Sequence, residues 1–168
     1  MKTLCITVIL FTFSLLMTAQ GDTDIIKNIT YVNEVVSYSE SIKINKMQNM
    51  VANFNIKGAK GFDTKKKGTY DVVFKETNCK IETTYNSKGE ILNSMEIYED
   101  MRLPIGLTKR ILTDNSKWHV VNNVQIINYN YGKDPDMLYE VIIRKENEFK
   151  MLKFKIQNKA NKDYVVLN

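Results

Sequence analysis

The feature that most constrains the fold is a period-two alternation of apolar and polar residues that recurs along the chain from Tyr70 onward. Because successive side chains of a strand point to opposite faces, each such segment predicts a strand with one buried face. The apolar positions predicted to share a face within each segment are Tyr70, Val72 and Phe74; Cys79, Ile81, Thr83 and Tyr85; Ile91, Met95 and Ile97; Trp118, Val120, Val124 and Ile126; Met137, Tyr139, Val141 and Ile143; and Leu152, Phe154 and Ile156. The turn Asn86-Ser87-Lys88-Gly89 joins the second and third segments, and its glycine suits the positive φ of a short hairpin. These patterns predict an antiparallel meander.

One helix is predicted where the alternation stops. Leu103-Pro104 opens it, because the fixed φ of proline suits the first turn of a helix and its missing N–H would have no partner there. Leu107 and Ile111 continue an apolar stripe at helical spacing, and Asp114-Asn115-Ser116 ends the pattern. The chain then enters the segment that begins at Trp118.

Two other segments are harder to assign. Ile25, Ile29, Val32 and Val36 have helical spacing, whereas residues 38–44 alternate as a strand would, so the sequence leaves both structures open for residues 22–46. Farther along, residues 131–136 contain a glycine and a proline and are predicted to form the loop between two long strands.

The chain also contains an internal similarity. Tyr70–Asn78 matches Tyr139–Asn147 at a constant offset of 69 residues, with the order of aromatic, acidic, apolar and basic classes largely preserved. A duplication would divide the chain into two tandem modules at about residues 22–98 and 99–168, and would place Met50–Ile56 opposite the Trp118 strand. Chance similarity between alternating strands is the other interpretation.

The N-terminus predicts export. Residues 1–19 combine an N-terminal lysine with an apolar run over residues 3–17 and a small residue at Ala19, which is the pattern of a secretory signal peptide; cleavage after Gly21 is the second choice. The run is shorter than the ~20 apolar residues of a spanning helix, and no comparable run follows. We therefore expect a domain over residues 20–168, without a transmembrane segment after cleavage, in the periplasm or secreted.

The cysteine count excludes an internal disulfide, and the net charge argues against nucleic acid as a partner. Cys79 is the one cysteine left after signal cleavage, so an intramolecular disulfide is excluded. The net charge of +5 is modest, and most lysines alternate with apolar residues as on a solvated strand face. We expect no binding to nucleic acid.

The sequence offers little catalytic chemistry. His119 is the sole histidine, and no zinc-binding spacing, phosphate-binding glycine loop or nucleophile elbow occurs. A thiol–imidazole pair of Cys79 and His119 is disfavoured because Cys79 falls on the apolar side of its strand, where burial makes a thiol inert. The sequence predicts no enzyme, no cofactor and no metal site; a small secreted hydrolase that uses dispersed carboxylates or Cys79 is the alternative.

A recognition surface is the remaining candidate. Tyr129 and Tyr131 share a side of their strand, and simple alternation puts His119 on that side too. Tyrosine offers a large contact area and a hydroxyl at small entropic cost. We predict that His119, Tyr129 and Tyr131 contribute to a partner-binding surface; packing at a sheet edge is the competing interpretation.

Several short motifs occur in a familiar order. Tyr85-Asn86-Ser87-Lys88-Gly89, the Leu103-Pro104 helix start, Trp118-His119-Val120-Val121 and Tyr139-Glu140-Val141 resemble the PepSY-like, β-lactamase-inhibitor-like periplasmic proteins of Bacteroidetes. The resemblance covers residues 68–157. Asn86 stands where an acidic residue is common in that family, and Ser116-Lys117 where Tyr-Pro is usual.

This resemblance implies an α+β fold, with an antiparallel β-sheet backed by one or two short helices and two tandem PepSY-like modules if the repeat is a duplication. It carries over no catalytic residue, and it implies that Trp118 lies at the seam between helix and sheet. The expected function is a non-enzymatic binding module that inhibits or accompanies another envelope or secreted protein, its partner being a protein, peptide or envelope component. A structural envelope component is a further alternative.

Overall fold

Seven antiparallel strands form one sheet, in which each strand pairs with its neighbours in sequence. The structure is a computed structural model and describes residues 28–35, 41–59, 62–63, 68–158 and 163–167. The strands are β1 (Thr69–Glu76), β2 (Cys79–Asn86), β3 (Ile91–Glu99), β4 (His119–Asn130), β5 (Lys133–Lys145), β6 (Glu148–Asn158) and β7 (Asp163–Leu167). The helices are α1 (Ile29–Val35), α2 (Ile42–Asn53) and α3 (Ile105–Asp114), with a short 3-10 turn at Ile56–Gly58. The α+β prediction is confirmed.

The ambiguous N-terminal segment is helical where the structure describes it. The Ser41 hydroxyl caps α2 by accepting a hydrogen bond from the Ile44 amide at 3.5 Å. Ile44, Met47 and Val51 then fall on the buried side of α2 at helical spacing. The strand alternative is therefore wrong for residues 42–44. The predicted signal peptide and residues 36–40 lie outside the described residues.

The helix predicted after Leu103-Pro104 is confirmed, and it is α3. Pro104 is the residue before α3, and Leu107 and Ile111 are its buried residues. Arg110 lies near the other end of the buried stripe and donates a hydrogen bond to the Tyr164 carbonyl of β7. This contact ties α3 to the last strand of the sheet.

All three helices pack on one face of the sheet, which we call the helix-covered face. Beneath α1 and α2 lies a first core formed with β1 to β5, and beneath α3 a second core formed with β5, β6 and β7. Strand residues of the first core include Ile81, Tyr85, Tyr98 and Ile127; those of the second core are Tyr139, Val141, Ile143, Leu152, Phe154 and Tyr164. The two cores are therefore arranged side by side on a continuous sheet.

Turns and bulges set the strand lengths. Gly89 has φ +88° in the β2–β3 turn, as its sequence context predicts. The predicted loop at residues 131–136 is wrong, because β5 begins at Lys133 and leaves only Tyr131-Gly132 in the turn. Pro135 is tolerated inside β5 because the pairing with β4 is irregular between Asn128 and Asn130.

The internal similarity has a partial structural counterpart. At the offset of 69 residues the β1–β2 hairpin coincides with the β5–β6 hairpin: Glu76 and Lys145 end the first strands, and Cys79 and Glu148 begin the second. The expectation for Met50–Ile56 is wrong, because this segment is the end of α2 and the start of the 3-10 turn instead of a strand equivalent to β4. The division into two modules stays a prediction.

Among the described residues, no helix is long and apolar enough to cross a membrane.

Candidate functional site

The face opposite the helices, which we call the open face, is not covered by any of the described helices. The strand register assigns to it Asp71, Val73 and Lys75; Lys80, Glu82 and Thr84; Asn93, Met95 and Ile97; Val124, Ile126, Asn128 and Asn130; Asp136, Leu138, Glu140, Ile142 and Arg144; and Phe149, Met151, Lys153 and Lys155. The open face therefore presents a broad surface built from six strands.

The two central strands β3 and β4 turn several of their apolar residues toward the open face. In β4, the register reverses at a bulge between Val120 and Asn122, so that Val124 and Ile126 lie on the open face. In β3, Met95 and Ile97 lie on the same face, and Ile97 pairs directly with Ile126. The predicted buried faces of these strands are wrong beyond the bulge in β4 and for Met95 and Ile97 in β3.

Polar residues occupy four of the eight buried positions of the same two strands. Ser94, Glu96, Asn123 and Gln125 are each no more than 7% exposed, whereas Met95 is 43% exposed. Such an arrangement opposes the usual partition of polar and apolar side chains. A central strand pair with this pattern gives up apolar burial, and an apolar surface on the outside of a sheet is typical of contact with another molecule.

Apolar side chains continue across the open face from β3 to β6. Leu138 pairs with Ile126, and Ile142 pairs with Met151. Met151 is 54% exposed, and Phe149 at the end of β6 is 66% exposed. We call Met95, Ile97, Val124, Ile126, Leu138, Ile142, Phe149 and Met151 the apolar band.

A polar groove of about 430 Å³ lies beside this band, across β1 to β4. Its open-face lining consists of Asp71, Val73, Glu82, Thr84, Asn93, Met95, Asn128 and Asn130. The Thr84 hydroxyl donates a 2.6 Å hydrogen bond to the Asp71 carboxylate. Three side-chain amides and two carboxylates thus offer hydrogen-bond donors and acceptors next to the apolar band.

Ion pairs lie beside the band and within it. Lys80 pairs with Glu82 at 2.6 Å, Lys153 with Glu140 at 2.6 Å, and Lys155 with Asp136 at 2.8 Å. Because these side chains are largely solvated, each pair adds little to stability. Two of the pairs instead give the open face a polar rim, as in protein interfaces, whereas the pair of Glu140 with Lys153 lies within the band, between two of its apolar residues on β5.

The structure separates the three predicted site residues. His119 is exposed on the open face, where it pairs with Arg144. Tyr129 lies on the other face, is 1% exposed, and forms an edge-to-face contact with Tyr31 of α1 at 5.2 Å. Tyr131 is 64% exposed in the β4–β5 turn. The prediction for Tyr129 is wrong, because the bulge in β4 reverses the parity that placed it beside His119.

Cys79 is buried, as its position in the strand predicts. It is 3% exposed and pairs with Tyr98, and burial raises the pKa of its thiol. Cys79 lies on the helix-covered face, whereas His119 lies on the open face, so the two side chains do not form a thiol–imidazole pair. A raised thiol pKa also lowers the fraction of nucleophilic thiolate.

A buried carboxyl group was missed at the sequence level. Glu96 is 0% exposed, and its two oxygens accept four hydrogen bonds. The donors are the hydroxyls of Tyr31 and Tyr98 at 2.7 and 2.6 Å, the Gln48 amide at 2.7 Å and the Ser94 hydroxyl at 3.1 Å. No sequence signal distinguishes Glu96 from the solvated acids of other alternating strands.

The Glu96 cluster joins the helices to the sheet. Tyr31 belongs to α1, Gln48 to α2, and Ser94 and Tyr98 to β3 itself. Burial raises the pKa of Glu96, while the four hydrogen bonds oppose that rise. Burial, followed by the proximity of Glu96, also raises the pKa of Tyr31 and Tyr98. The cluster is closed to solvent and held by its own donors, so we assign it a structural role.

Metal binding finds no support in the described part of the chain. There, no group of three or more histidine, cysteine, aspartate or glutamate side chains is positioned to hold an ion. The carboxylates of Asp134 and Asp136 lie in β5 instead of the predicted loop, and Asp136 is paired with Lys155.

Comparisons with family models, curated proteins and solved structures found no match to this chain.

Proposed function

We propose that this protein is an exported, non-enzymatic binding module that uses its open face to contact another envelope or secreted protein, as an inhibitor or an accessory partner. The observation that carries the proposal is the partly reversed pattern of β3 and β4. These strands bury Glu96 and Gln125 and turn Met95 and Ile126 outward. The resemblance to PepSY-like periplasmic proteins agrees with a binding role.

The chemistry of the open face favours a protein partner. Burial of its apolar band is favourable in proportion to the area removed from water. The groove amides and the Lys80–Glu82 and Lys155–Asp136 pairs provide a polar rim. Methionine side chains, such as Met95 and Met151, adapt their shape to a partner at little cost. His119 and Tyr131 stay candidate contact residues, since both are exposed.

A comparison of variants tests this proposal. Met95→Glu/Met151→Glu places two charges in the apolar band, and Leu112→Glu places a charge on the exposed side of α3, where Leu112 is 48% exposed. We expect the wild type and Leu112→Glu to enrich the same partner from native envelope material after chemical cross-linking, and the double variant to lose it. Equal enrichment by all three proteins would refute a role for the open face.

The double variant and further substitutions distinguish a binding module from a structural component and from a hydrolase. If the protein is a structural component, sedimentation velocity of the purified wild type will show self-association that the double variant lacks. If it is a hydrolase, a hydrolytic activity will persist in the double variant and disappear in Cys79→Ser or in carboxylate variants. Burial of Cys79 argues against the thiol-dependent form of that activity.

Export is tested directly on the protein made in its native cell. N-terminal sequencing of the mature chain is expected to begin at Gln20, or at Asp22 if the second cleavage site is used. An intact Met1 on a cytoplasmic product would overturn the predicted localisation and with it the class of partner.

A further inference from the structure

A second groove lies on the helix-covered face, at the margin of the second core beside the first turn of α3. It has a volume of about 380 Å³ and is lined by Arg102, Leu103, Ile105, Thr108, Lys109, Val120 and Asn123. This size lies within the ~300–1,000 Å³ range of ligand sites, and apolar walls with a few polar groups are typical of them. The groove lies on the opposite side of the sheet from the open face, so its role is independent of the proposed function.

The apolar wall of this groove is partly unburied. Ile105 in the first turn of α3 is 56% exposed, and Leu103 and Val120 are half-buried at the margin of the second core. An apolar side chain that entered here would remove this surface from water, which is favourable in proportion to the area buried.

Two cationic side chains, Arg102 and Lys109, lie beside the apolar wall of the groove without an acidic partner. Among the described residues, neither Arg102 nor Lys109 forms an ion pair or a side-chain hydrogen bond. The first turn of α3 contains no acidic residue and has no side-chain cap, so its N–H groups and the helix dipole add to the positive potential. The nearby Asp100 is engaged with β4, where its Oδ1 accepts a 2.8 Å hydrogen bond from the Asn122 amide.

A buried amide completes the groove. Asn123 is 7% exposed, and its side-chain Oδ1 has no hydrogen-bond partner among the described residues. A buried polar atom without a partner costs ~1–3 kcal/mol, which a ligand could recover by donating to it. The groove therefore combines an apolar wall, a positive rim and an unpaired acceptor.

We infer that this groove binds the C-terminal residue of a peptide or protein, namely an apolar residue with a free carboxylate. Such a residue carries all three complementary groups: an apolar side chain for Ile105 and Val120, a carboxylate for Arg102 and Lys109, and a backbone N–H for Asn123 Oδ1. A fatty acid supplies the carboxylate and the apolar chain but no donor for Asn123. An internal acidic residue supplies a carboxylate at a greater distance from an apolar side chain.

The experiment is a titration of the mature protein with dye-labelled peptides, followed by fluorescence anisotropy. The probe is a pool of hexapeptides with a free C-terminal leucine and mixed upstream residues, and its match is the same pool with a C-terminal amide. We expect saturable binding of the free acid and at least about ten-fold weaker binding of the amide, since a ten-fold change corresponds to about 1.4 kcal/mol. Equal binding of both pools, or no binding of either, overturns the inference.

Variants place the binding in this groove. Arg102→Gln/Lys109→Gln is expected to weaken the free-acid pool by about ten-fold or more, whereas Lys88→Gln/Lys145→Gln removes the same charge elsewhere and leaves binding unchanged. Equal weakening by both variants would mean attraction by net charge alone and would refute the site. Laurate is the competitor: displacement of the peptide by laurate at lower concentration than by unlabelled peptide would identify a lipid site instead. Unfolding curves for each variant confirm that the fold is retained.

Discussion

The two cores differ in what they bury, although they share one sheet face. The second core consists of apolar and aromatic side chains, such as Leu152, Phe154 and Val141. The first core also encloses Glu96 with its four donors, and β3 and β4 direct apolar residues to the open face. The second core is arranged as burial alone would favour. The first core departs from that arrangement, and the departure coincides with the surface to which we assign function.

The largest expected effect is in the second core. Phe154 is 2% exposed, and Phe154→Ala removes a buried aromatic ring and leaves a cavity. We expect a loss of ~3–5 kcal/mol in the free energy of unfolding, with little dependence on pH. Urea unfolding followed by circular dichroism measures the loss. A loss below ~1 kcal/mol would show that the second core is not well packed.

The first core should respond through its polar groups. Glu96→Ala leaves the donors of Tyr31, Gln48 and Tyr98 without their acceptor in a buried site. We expect a loss of ~2–4 kcal/mol in unfolding free energy, because unpaired buried donors are costly. Glu96→Gln is the matched control, since it keeps the shape and one acceptor oxygen. If alanine is tolerated as well as glutamine, the hydrogen bonds do not hold α1 and α2 on the sheet.

Trp118 is expected to matter less than its position in the sequence predicts. It packs against the second core but is only half-buried. Trp118→Ala should cost ~1–3 kcal/mol, below the ~3–5 kcal/mol of a fully buried aromatic residue. His119→Ala, on the exposed open face, should change stability by about 0.5 kcal/mol or less. A larger cost for His119→Ala than for Trp118→Ala in the same urea experiment would reverse the face assignment of these residues.

The stability of the first core should also depend on pH. Because the folded-state pKa of Glu96 is raised above its unfolded value, its contribution to stability is full below the unfolded pKa near 4.3 and is lost as pH rises toward the folded pKa. Within that window the slope for one proton is at most about 1.4 kcal/mol per pH unit.

The measurement compares the wild type with Glu96→Gln. Other carboxyl groups contribute equally to both proteins, so the difference in unfolding free energy isolates Glu96. We expect the unfolding free energy of Glu96→Gln to rise relative to that of the wild type as the pH increases from 5 to 8. An opposite trend would mean that the four hydrogen bonds outweigh burial and lower the pKa.

Much of the fold follows from local sequence patterns. The alternation in β2, β5 and β6 predicts their buried residues correctly, the turn at Gly89 predicts a hairpin, and Pro104 predicts the start of α3. Each depends on the conformational preferences of a few adjacent residues, which is why the sequence is sufficient. The burial of Cys79 belongs to the same group.

Tertiary structure decided the rest. The bulge between Val120 and Asn122 reverses the faces of β4, which exposes Ile126 and buries Tyr129. A one-residue shift moves every later side chain to the other face, and no local pattern announces it. In the sequence, Glu96 does not differ from other acidic residues of the strands. Only the hydrogen bonds from Tyr31 and Gln48, which are distant in sequence, distinguish it. The sequence by itself determined which segments become strands and the buried faces of β2, β5 and β6. Only the tertiary structure decided which side chains of β3 and β4 meet solvent, because burial there depends on bulges and on contacts between layers that are distant in sequence.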